Sequence, residues 1–195
     1  MINFDDIEQN VDGFFEMLPC QSKLPFPEIR VEKENIEYAN MILDAYASAA
    51  DSEIQAITQY LYHGKTIKVK GIASGLMCIA MVEMRHLDAL GELIALLGGK
   101  PIYYNSNRYF WGTENIAYGD SHIMCLNYDE KDMNNKEIIR QKLMLDIKGE
   151  INAINGYKFI MRNITDKYIR KILEKIISDE ETHIEIFEAM MKKYL

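Results

Sequence analysis

The chain has 195 residues, of which 48% are hydrophobic and 27% charged, and this composition suits one domain with a sizeable core. Its net charge of −8 at pH 7 disfavours nucleic acid as a partner, because an acidic surface repels phosphate groups. The longest apolar run, residues 72–82, is shorter than the roughly 20 residues of a membrane-spanning helix. The acidic N-terminus lacks the pattern of a signal peptide, so we expect a cytoplasmic protein without a membrane partner.

The first 33 residues are predicted to form an irregular arm, because three of the four prolines lie there. One short helix is expected within it, over about residues 5–18. The arm contains Cys20, which like Cys78 and Cys125 does not belong to a CxxC pair. The sequence therefore excludes a zinc ribbon and a rubredoxin-type iron site, and we expect the thiols to be reduced.

Residues 34–195 are predicted to form an all-α antiparallel four-helix bundle. Apolar residues recur every three or four positions over about 34–62, 69–97, 134–162 and 166–194. Gly98 and Gly99 mark the end of the second helix, and Thr165 is the expected N-cap of the fourth. Short connections make two hairpins, and a long crossover, about residues 98–133, joins them. The aromatic residues of this crossover are expected to pack against the bundle.

Polar residues interrupt the four apolar stripes at one level, and the same residue types recur 97 positions later. The pairs are Glu53 and Glu150, Tyr60 and Tyr157, Glu83 and Glu180, and His86 and His183. This spacing indicates an internal duplication of one helical hairpin. A glutamate and a histidine three positions apart share a helix face, so these groups should meet in the centre of the bundle.

Four buried carboxylates need compensating positive charge, which two divalent cations supply. We therefore predict a dinuclear metal site with six ligands: Glu53, Glu83, His86, Glu150, Glu180 and His183. Oxygen and nitrogen ligands favour iron or manganese, two ions per chain, although zinc or cobalt could substitute. Tyr60 and Tyr157 are predicted to act in catalysis through hydrogen bonds to the carboxylates; the alternative is a packing role. His63 and His122 are expected to be surface or loop residues.

These motifs resemble those of the ferritin-like di-metal carboxylate superfamily over about residues 34–195. They are Glu53-x6-Tyr60, Glu83-Met-Arg-His86, Glu150-x6-Tyr157 and Asp179-Glu180-Glu-Thr-His183. Within the superfamily, the chain resembles the rubrerythrin, bacterioferritin and manganese-catalase branches. The segment 82–88 is similar to the second helix of bacterioferritins, and the long aromatic crossover is more similar to manganese-catalase relatives.

The resemblance implies a ferritin-like bundle in which Glu83 and Glu180 bridge the metals and Glu53 and Glu150 are terminal ligands. It also implies that an aspartate before the last glutamate, here Asp179, orients a ligand histidine. The counterpart of Asp179, 97 residues earlier, is Val82, which has no acceptor group. The two metals are therefore expected to be unequal.

Several features depart from individual branches of the superfamily. Ala153 stands where rubrerythrins carry an additional glutamate, and the cysteines cannot form a rubredoxin module. The 12 residues after His183 are too few for the fifth helix of cage-forming ferritins. Met84 lies where bacterioferritins place a haem ligand, but a methionine there is more often a packing residue in other relatives, so haem is not expected.

The sequence thus favours an oxidoreductase of peroxidase or catalase type, which reacts with hydrogen peroxide or dioxygen and protects against oxidative stress. A peroxidase would need an external electron donor, whereas a catalase needs none. Two alternatives remain open: a ferroxidase that handles iron, and a structural protein, such as a spore-coat component, that retains the metal site. We expect a homodimer rather than a cage, because small ferritin-like bundles often pair.

Overall fold

The computed structural model describes residue 11 and residues 13–47, 52–103 and 134–195 of the chain. From residue 36 onward, this part contains five helices: α1 (Ile36–Ala47), α2 (Glu53–Thr66), α3 (Lys70–Leu96), α4 (Lys136–Asn163) and α5 (Lys167–Tyr194). It contains no β-strand, and none of its helices is long and apolar enough to span a membrane. The predicted all-α class is therefore confirmed.

Two helical hairpins form the bundle. Helices α2 and α3 pack extensively on each other, as do α4 and α5, and only a few residues connect the helices of each pair. The hairpins meet through α3 with α5 and through α2 with α4, while α1 packs mainly on α3. The predicted crossover lies outside the described part from residue 104 onward. At its start, the ring of Tyr103 stacks on Tyr46 of α1 with centroids 5.4 Å apart.

The expectation of one continuous helix over residues 34–62 is wrong. Ser52 has extended backbone angles, φ −121° and ψ 159°, and α2 begins at the next residue, Glu53. An extended residue cannot continue the hydrogen-bond pattern of an α-helix, so α1 and α2 are separate helices. Residues 48–51 lie outside the described part. Glu53, a predicted ligand, consequently occupies the first position of a helix.

The end of α3 follows the sequence prediction. Gly98 has a positive φ of 83°, and its N–H donates to the carbonyl of Ala95 at 3.0 Å. The N–H of Gly99 donates to the carbonyl of Ile94 at 2.9 Å. This pattern satisfies carbonyls in the last turn of the helix, and the left-handed backbone at Gly98 is one that favours glycine. The predicted stop is confirmed.

The N-cap of α5 is Asp166 and not Thr165. The Oδ1 atom of Asp166 accepts hydrogen bonds from the N–H groups of Tyr168 and Ile169, two of the four N–H groups that a helix start leaves unpaired. Its Oδ2 atom accepts from the N–H of Glu32 at 2.6 Å. An aspartate can serve both partners because its carboxylate has two oxygens, so the cap of α5 also fixes the N-terminal arm.

The arm folds onto the bundle. Residues 13–16 are helical, whereas positions 1–10 and 12, which include half of the expected helix over 5–18, lie outside the described part. Cys20 of the arm forms a disulfide with Cys78 of α3, with the two Cα atoms 6.1 Å apart. The expectation of reduced thiols is therefore wrong for this pair. Nothing in the spacing of 58 residues shows that the arm returns to α3. Cys125 lies outside the described part.

Two apolar clusters fill the bundle and leave a polar layer between them. One is built from α1, the second half of α3, the second half of α4 and the first half of α5, and includes Ile42, Leu90, Leu93, Ile169, Leu173 and Ile176. The other is built from the first half of α3, the first half of α4 and the end of α5, and includes Ile72, Leu76, Ile79, Leu143 and Phe187. The predicted ligands lie in the layer between these clusters.

Candidate metal centre

The structure brings all six predicted ligands together in the middle of the bundle. Helices α2 and α4 each contribute one glutamate, and α3 and α5 each contribute a glutamate and a histidine three positions apart: Glu53, Glu150, Glu83 with His86, and Glu180 with His183. None of these side chains is more than 3% exposed. Uncompensated burial of four carboxylates is costly, so the cluster is not an ordinary feature of a helical core.

The six side chains divide into two overlapping sets of four. One set is Glu53, Glu83, His86 and Glu180, and the other is Glu83, Glu150, Glu180 and His183. In each set, one nitrogen or oxygen atom per residue lies within 4.8 Å of those of the other members. Glu83 and Glu180 belong to both sets. The geometry therefore agrees with two neighbouring cation positions that share two carboxylates and have one private glutamate and one histidine each.

Both imidazoles present their Nδ1 atom to the centre of the cluster. The Nδ1 atom of His86 lies 2.9 Å from Glu83 Oε2 and 3.3 Å from Glu180 Oε1. The Nδ1 atom of His183 lies 2.7 Å from Glu180 Oε2 and 3.0 Å from Glu83 Oε1. The Nε2 atom, on the other side of each ring, therefore faces away from the glutamates.

The two tyrosines contact the private glutamates crosswise between the hairpins. The hydroxyl of Tyr60 on α2 donates to Glu150 Oε1 on α4 at 2.6 Å. The hydroxyl of Tyr157 on α4 donates to Glu53 Oε1 on α2. Both tyrosines are buried, and each holds one oxygen of a carboxylate. The predicted hydrogen bonds are present, while a catalytic role for the tyrosines stays a prediction.

The two histidines differ in what their outer nitrogen contacts. His86 Nε2 lies 3.1 Å from Asp179 Oδ2, so the aspartate orients His86. Asp179 Oδ1 in turn accepts from Lys175 Nζ at 2.6 Å and from the N–H of Ser22 at 2.7 Å. His183 Nε2 is buried and has no hydrogen-bond partner in the described part of the chain. The expected difference between the two halves is thus visible in the side chains around the histidines.

The cluster changes the protonation of its members when no metal is bound. Burial raises the pKa of Glu53 to about 8, and the charges of Glu83 and Glu180 act in the same direction. Burial, together with the same two glutamates, raises the pKa of Glu150 well above its usual range. For both histidines, burial opposes the charged form, but the surrounding carboxylates prevail and raise the pKa. The Glu83 carboxyl differs, because the charges of the two imidazoles outweigh burial and lower its pKa.

A small cavity leads to the cluster between α2 and α4. Its lining includes all four glutamates and both tyrosines, together with small and polar residues: Ser52, Gln55, Ala56, Gln59, Gly149 and Ala153. A Cβ atom at Gly149 would contact nothing within 4 Å. Among the described residues, this cavity therefore gives small molecules a way to the carboxylates.

A second polar cluster lies one turn from Glu150, where α2 packs on α4. Asp146 is fully buried and accepts from Gln59 Nε2 at 2.7 Å, while His63 Nδ1 lies 2.9 Å from its Oδ1 atom. The expectation that His63 is a surface or loop residue is wrong, since the residue is only 5% exposed. Helix α2 continues four residues past the predicted end at residue 62, and this extension places His63 on its buried face. His122 lies outside the described part.

Sequence reasoning missed Lys175, Ser22 and Asp146 as neighbours of the site. Asp146 and Lys175 each precede a singled-out acidic residue, Glu150 or Asp179, by four positions, which places them on the same helix face. That spacing could have identified them. Ser22 carried no signal, because its contribution is a backbone N–H.

Comparisons with known proteins agree with the fold. No family model matches the chain. A probable manganese catalase of Clostridium acetobutylicum is 24% identical over 170 residues, which cover 85% of this chain and 75% of that protein. A bacterioferritin of Streptomyces coelicolor is 28% identical over 166 residues, 82% of this chain and 81% of that protein. The crystal structure of KatB, a manganese catalase from Anabaena PCC7120, superposes with a TM-score of 0.67 at 19% identity, covering 88% and 78% of the two chains.

The fold is thus a ferritin-like helical bundle made of two hairpins. The resemblance to the ferritin-like di-metal carboxylate superfamily, which the motifs around Glu53, Glu83 and their counterparts indicate, is confirmed. Manganese catalases and bacterioferritins are the relatives reported above, and the rubrerythrin branch stays a prediction.

Proposed function

We propose that the chain holds a dinuclear manganese or iron centre and is an oxidoreductase that reacts with hydrogen peroxide. The observation that carries this proposal is the sharing of Glu83 and Glu180 between two four-residue sets. One divalent cation would balance only two of the four buried carboxylates. A structural zinc site is usually mononuclear and closed. The manganese-catalase relatives support peroxide as the substrate class.

The residues present fit two divalent cations in charge and in chemistry. Four carboxylates balance two such ions, and two imidazole Nδ1 atoms face the same centre. The mixture of oxygen and nitrogen donors without thiolate is suited to manganese and iron. Two adjacent metal ions, when bound, can share the two-electron change that cleavage of an O–O bond requires.

The side chains of the protein itself would orient the ligands and exclude water. Tyr60 and Tyr157 each donate a hydrogen bond to a private glutamate and so restrict its rotation. The apolar clusters above and below close the layer along the bundle axis. The cavity at Gly149 and Ala153 leaves an approach from the side. Its narrow lining favours a small substrate such as hydrogen peroxide or dioxygen over a bulky one.

A second function is favoured by the bacterioferritin relatives, namely oxidation and handling of iron. The same carboxylates would bind Fe²⁺, and the cavity would be its entrance. The two functions differ in the fate of the metal. A peroxide-reacting centre keeps two ions per chain, whereas iron handling would accumulate many more.

Metal analysis combined with a peroxide assay tests the proposal. Protein purified under native metal supply should contain two manganese or iron ions per chain. It should consume hydrogen peroxide and release one O₂ for every two peroxides if it is a catalase, or consume peroxide without O₂ only with an added electron donor if it is a peroxidase. Glu83→Ala should lose metal and activity, and Glu188→Ala, at an exposed position of α5, should keep both. A wild-type protein that binds neither metal would refute the proposal.

A further inference from the structure

The N-terminal arm reaches the metal centre on the face formed by α3 and α5. Cys20 is bonded to Cys78 of α3, and two residues later the N–H of Ser22 donates to Asp179 of α5. Leu18 and Cys20 are buried in the apolar cluster that includes the first half of α3. The arm is therefore fixed covalently to one helix and through hydrogen bonds to another, directly behind His86.

Around Asp179, the arm completes a chain of hydrogen bonds that ends at His86. Lys175 Nζ donates to Asp179 Oδ1 at 2.6 Å and to the hydroxyl of Ser22 at 3.2 Å, and lies 3.4 Å from the carbonyl oxygen of Ser22. The other oxygen of Asp179 faces His86 Nε2 at 3.1 Å. Lys175 and Asp179 are each only 1% exposed. Since a buried ion pair contributes little to stability by itself, its value here is the fixed orientation of Asp179.

The other half of the duplication lacks this arrangement. The positions 97 residues before Asp179 and Lys175 are Val82 and Cys78. Val82 offers no acceptor to His183, whose Nε2 atom has no partner in the described residues. Cys78, the counterpart of the lysine, holds the arm instead. One half of the repeat therefore anchors the segment that completes the other half.

We propose that the arm is a positioning element for His86, through the contacts of Ser22 with Asp179 and Lys175 of α5. We further propose that the Cys20–Cys78 disulfide sets the affinity of the His86 position for its metal ion. This inference rests on the proposed dinuclear centre. Asp179 polarises the imidazole only when its carboxylate is held in place. Loss of such a hydrogen-bonding partner behind a metal ligand typically weakens metal binding by about 10- to 100-fold.

Reduction of the disulfide is the reversible perturbation of this element. A phosphine reductant and one water molecule break the Sγ–Sγ bond, and the products are two thiols and the phosphine oxide. The arm then keeps its sequence but loses its covalent attachment to α3. Ser22 is then held against Asp179 and Lys175 by hydrogen bonds alone, so this contact should loosen. We therefore expect His86 to become a weaker ligand while His183 is unaffected.

Two variants, each of which keeps only one complete metal position, separate the His86 position from the His183 position. Glu150→Ala removes the glutamate private to the His183 position and leaves the His86 position complete, and Glu53→Ala does the reverse. We would titrate each with Mn²⁺, oxidised and after reduction and removal of the phosphine, and measure free Mn²⁺ by electron paramagnetic resonance. Reduction should weaken Mn²⁺ binding to Glu150→Ala by at least about tenfold and to Glu53→Ala by less than about twofold. Lys175→Met should have the same selective effect without reduction.

Matched controls separate positioning from general destabilisation. Lys142→Met removes a lysine that is also buried but donates to Thr66 away from Asp179, so it should change both positions equally or neither. Cys125→Ser should leave the effect of reduction intact. If one single-position protein binds no Mn²⁺, the two stepwise Mn²⁺ dissociation constants of the wild type are measured instead. Only one of these two constants should increase on reduction. Equal weakening of both positions, or none, overturns this inference. A wild type that binds no metal in either redox state overturns the proposed function instead.

Discussion

Glu53→Gln should make the metal-free protein more stable at neutral pH, although it removes a proposed ligand. In the folded chain without metal, burial and the neighbouring carboxylates raise the pKa of Glu53 from 4.5 to about 8. A carboxyl group with a raised pKa contributes stability that is complete below its unfolded pKa and is lost as the pH rises through its folded pKa. Glutamine keeps the shape and can still accept from Tyr157, but it carries no charge.

The size of the effect follows from the pKa difference. At pH 7, Glu53 keeps its proton in the folded chain but has released it in the unfolded chain. Because pH 7 is 2.5 units above the unfolded pKa of 4.5, this difference lowers the free energy of unfolding by about 3 kcal/mol. At pH 5 the same reasoning gives less than about 1 kcal/mol. For a chain of this length, about 3 kcal/mol shifts the melting temperature by roughly 6 to 12 °C. Glu150 and both histidines, whose pKa values are also raised, shift the wild type in the same direction.

Thermal melts of chelator-treated protein at pH 5, 6, 7 and 8 measure this effect. The melting temperature of the wild type should fall over this range, and that of Glu53→Gln should fall less, so that the variant is the more stable protein at pH 7. Glu188→Gln, at an exposed position, should follow the wild type. With Mn²⁺ present the order should reverse, because a bound metal stabilises the folded state in proportion to its affinity. If Glu53→Gln and wild type lose stability in parallel at every pH, the cluster does not hold these protons and the reasoning is refuted.

Three further predictions concern the two metal positions and the assembly. Glu83→Ala should weaken both Mn²⁺ binding steps, whereas Glu53→Ala should weaken mainly one, since only Glu83 belongs to both ligand sets; stepwise titration distinguishes these results. Val82→Asp should give His183 the acceptor that it lacks and strengthen Mn²⁺ binding at the His183 position in a Glu53→Ala background; unchanged or weaker binding there would contradict the role assigned to Asp179. The protein should sediment as a homodimer near twice its 22.6 kDa mass, and a species above about 400 kDa would show a cage instead.

The duplication explains how much of the site could be predicted from the sequence. A glutamate, a tyrosine and a Glu-x-x-His pair recur at one spacing, and helical periodicity places them on the buried faces of four helices. Such local rules need no knowledge of tertiary contacts. They also predict the C-terminal end of α3, which Gly98 marks, and the hairpin between α4 and α5, which only a few residues connect.

What the sequence could not show arises from contacts between distant segments. The helix break at Ser52 escapes the periodicity because the apolar stripe continues across it, and the burial of His63 depends on Asp146 in the other hairpin. The disulfide from Cys20 to Cys78 depends on the path of an arm with no periodic pattern. For the His63–Asp146 contact and for the disulfide, the sequence shows each residue but not that the fold brings the two together.

The positions at which the two halves of the duplication differ also make the two halves of the metal centre unequal. A symmetric duplication would give two positions with equal ligands and equal support, and the six ligands and two tyrosines follow that symmetry. The support behind the histidines does not, because Asp179 backs His86 and nothing in the described residues backs His183. An imidazole with a carboxylate behind it is the more basic ligand, so the His86 position should fill first and hold its ion more tightly. The His183 position would then hold the more weakly bound ion, whose occupancy responds to metal supply.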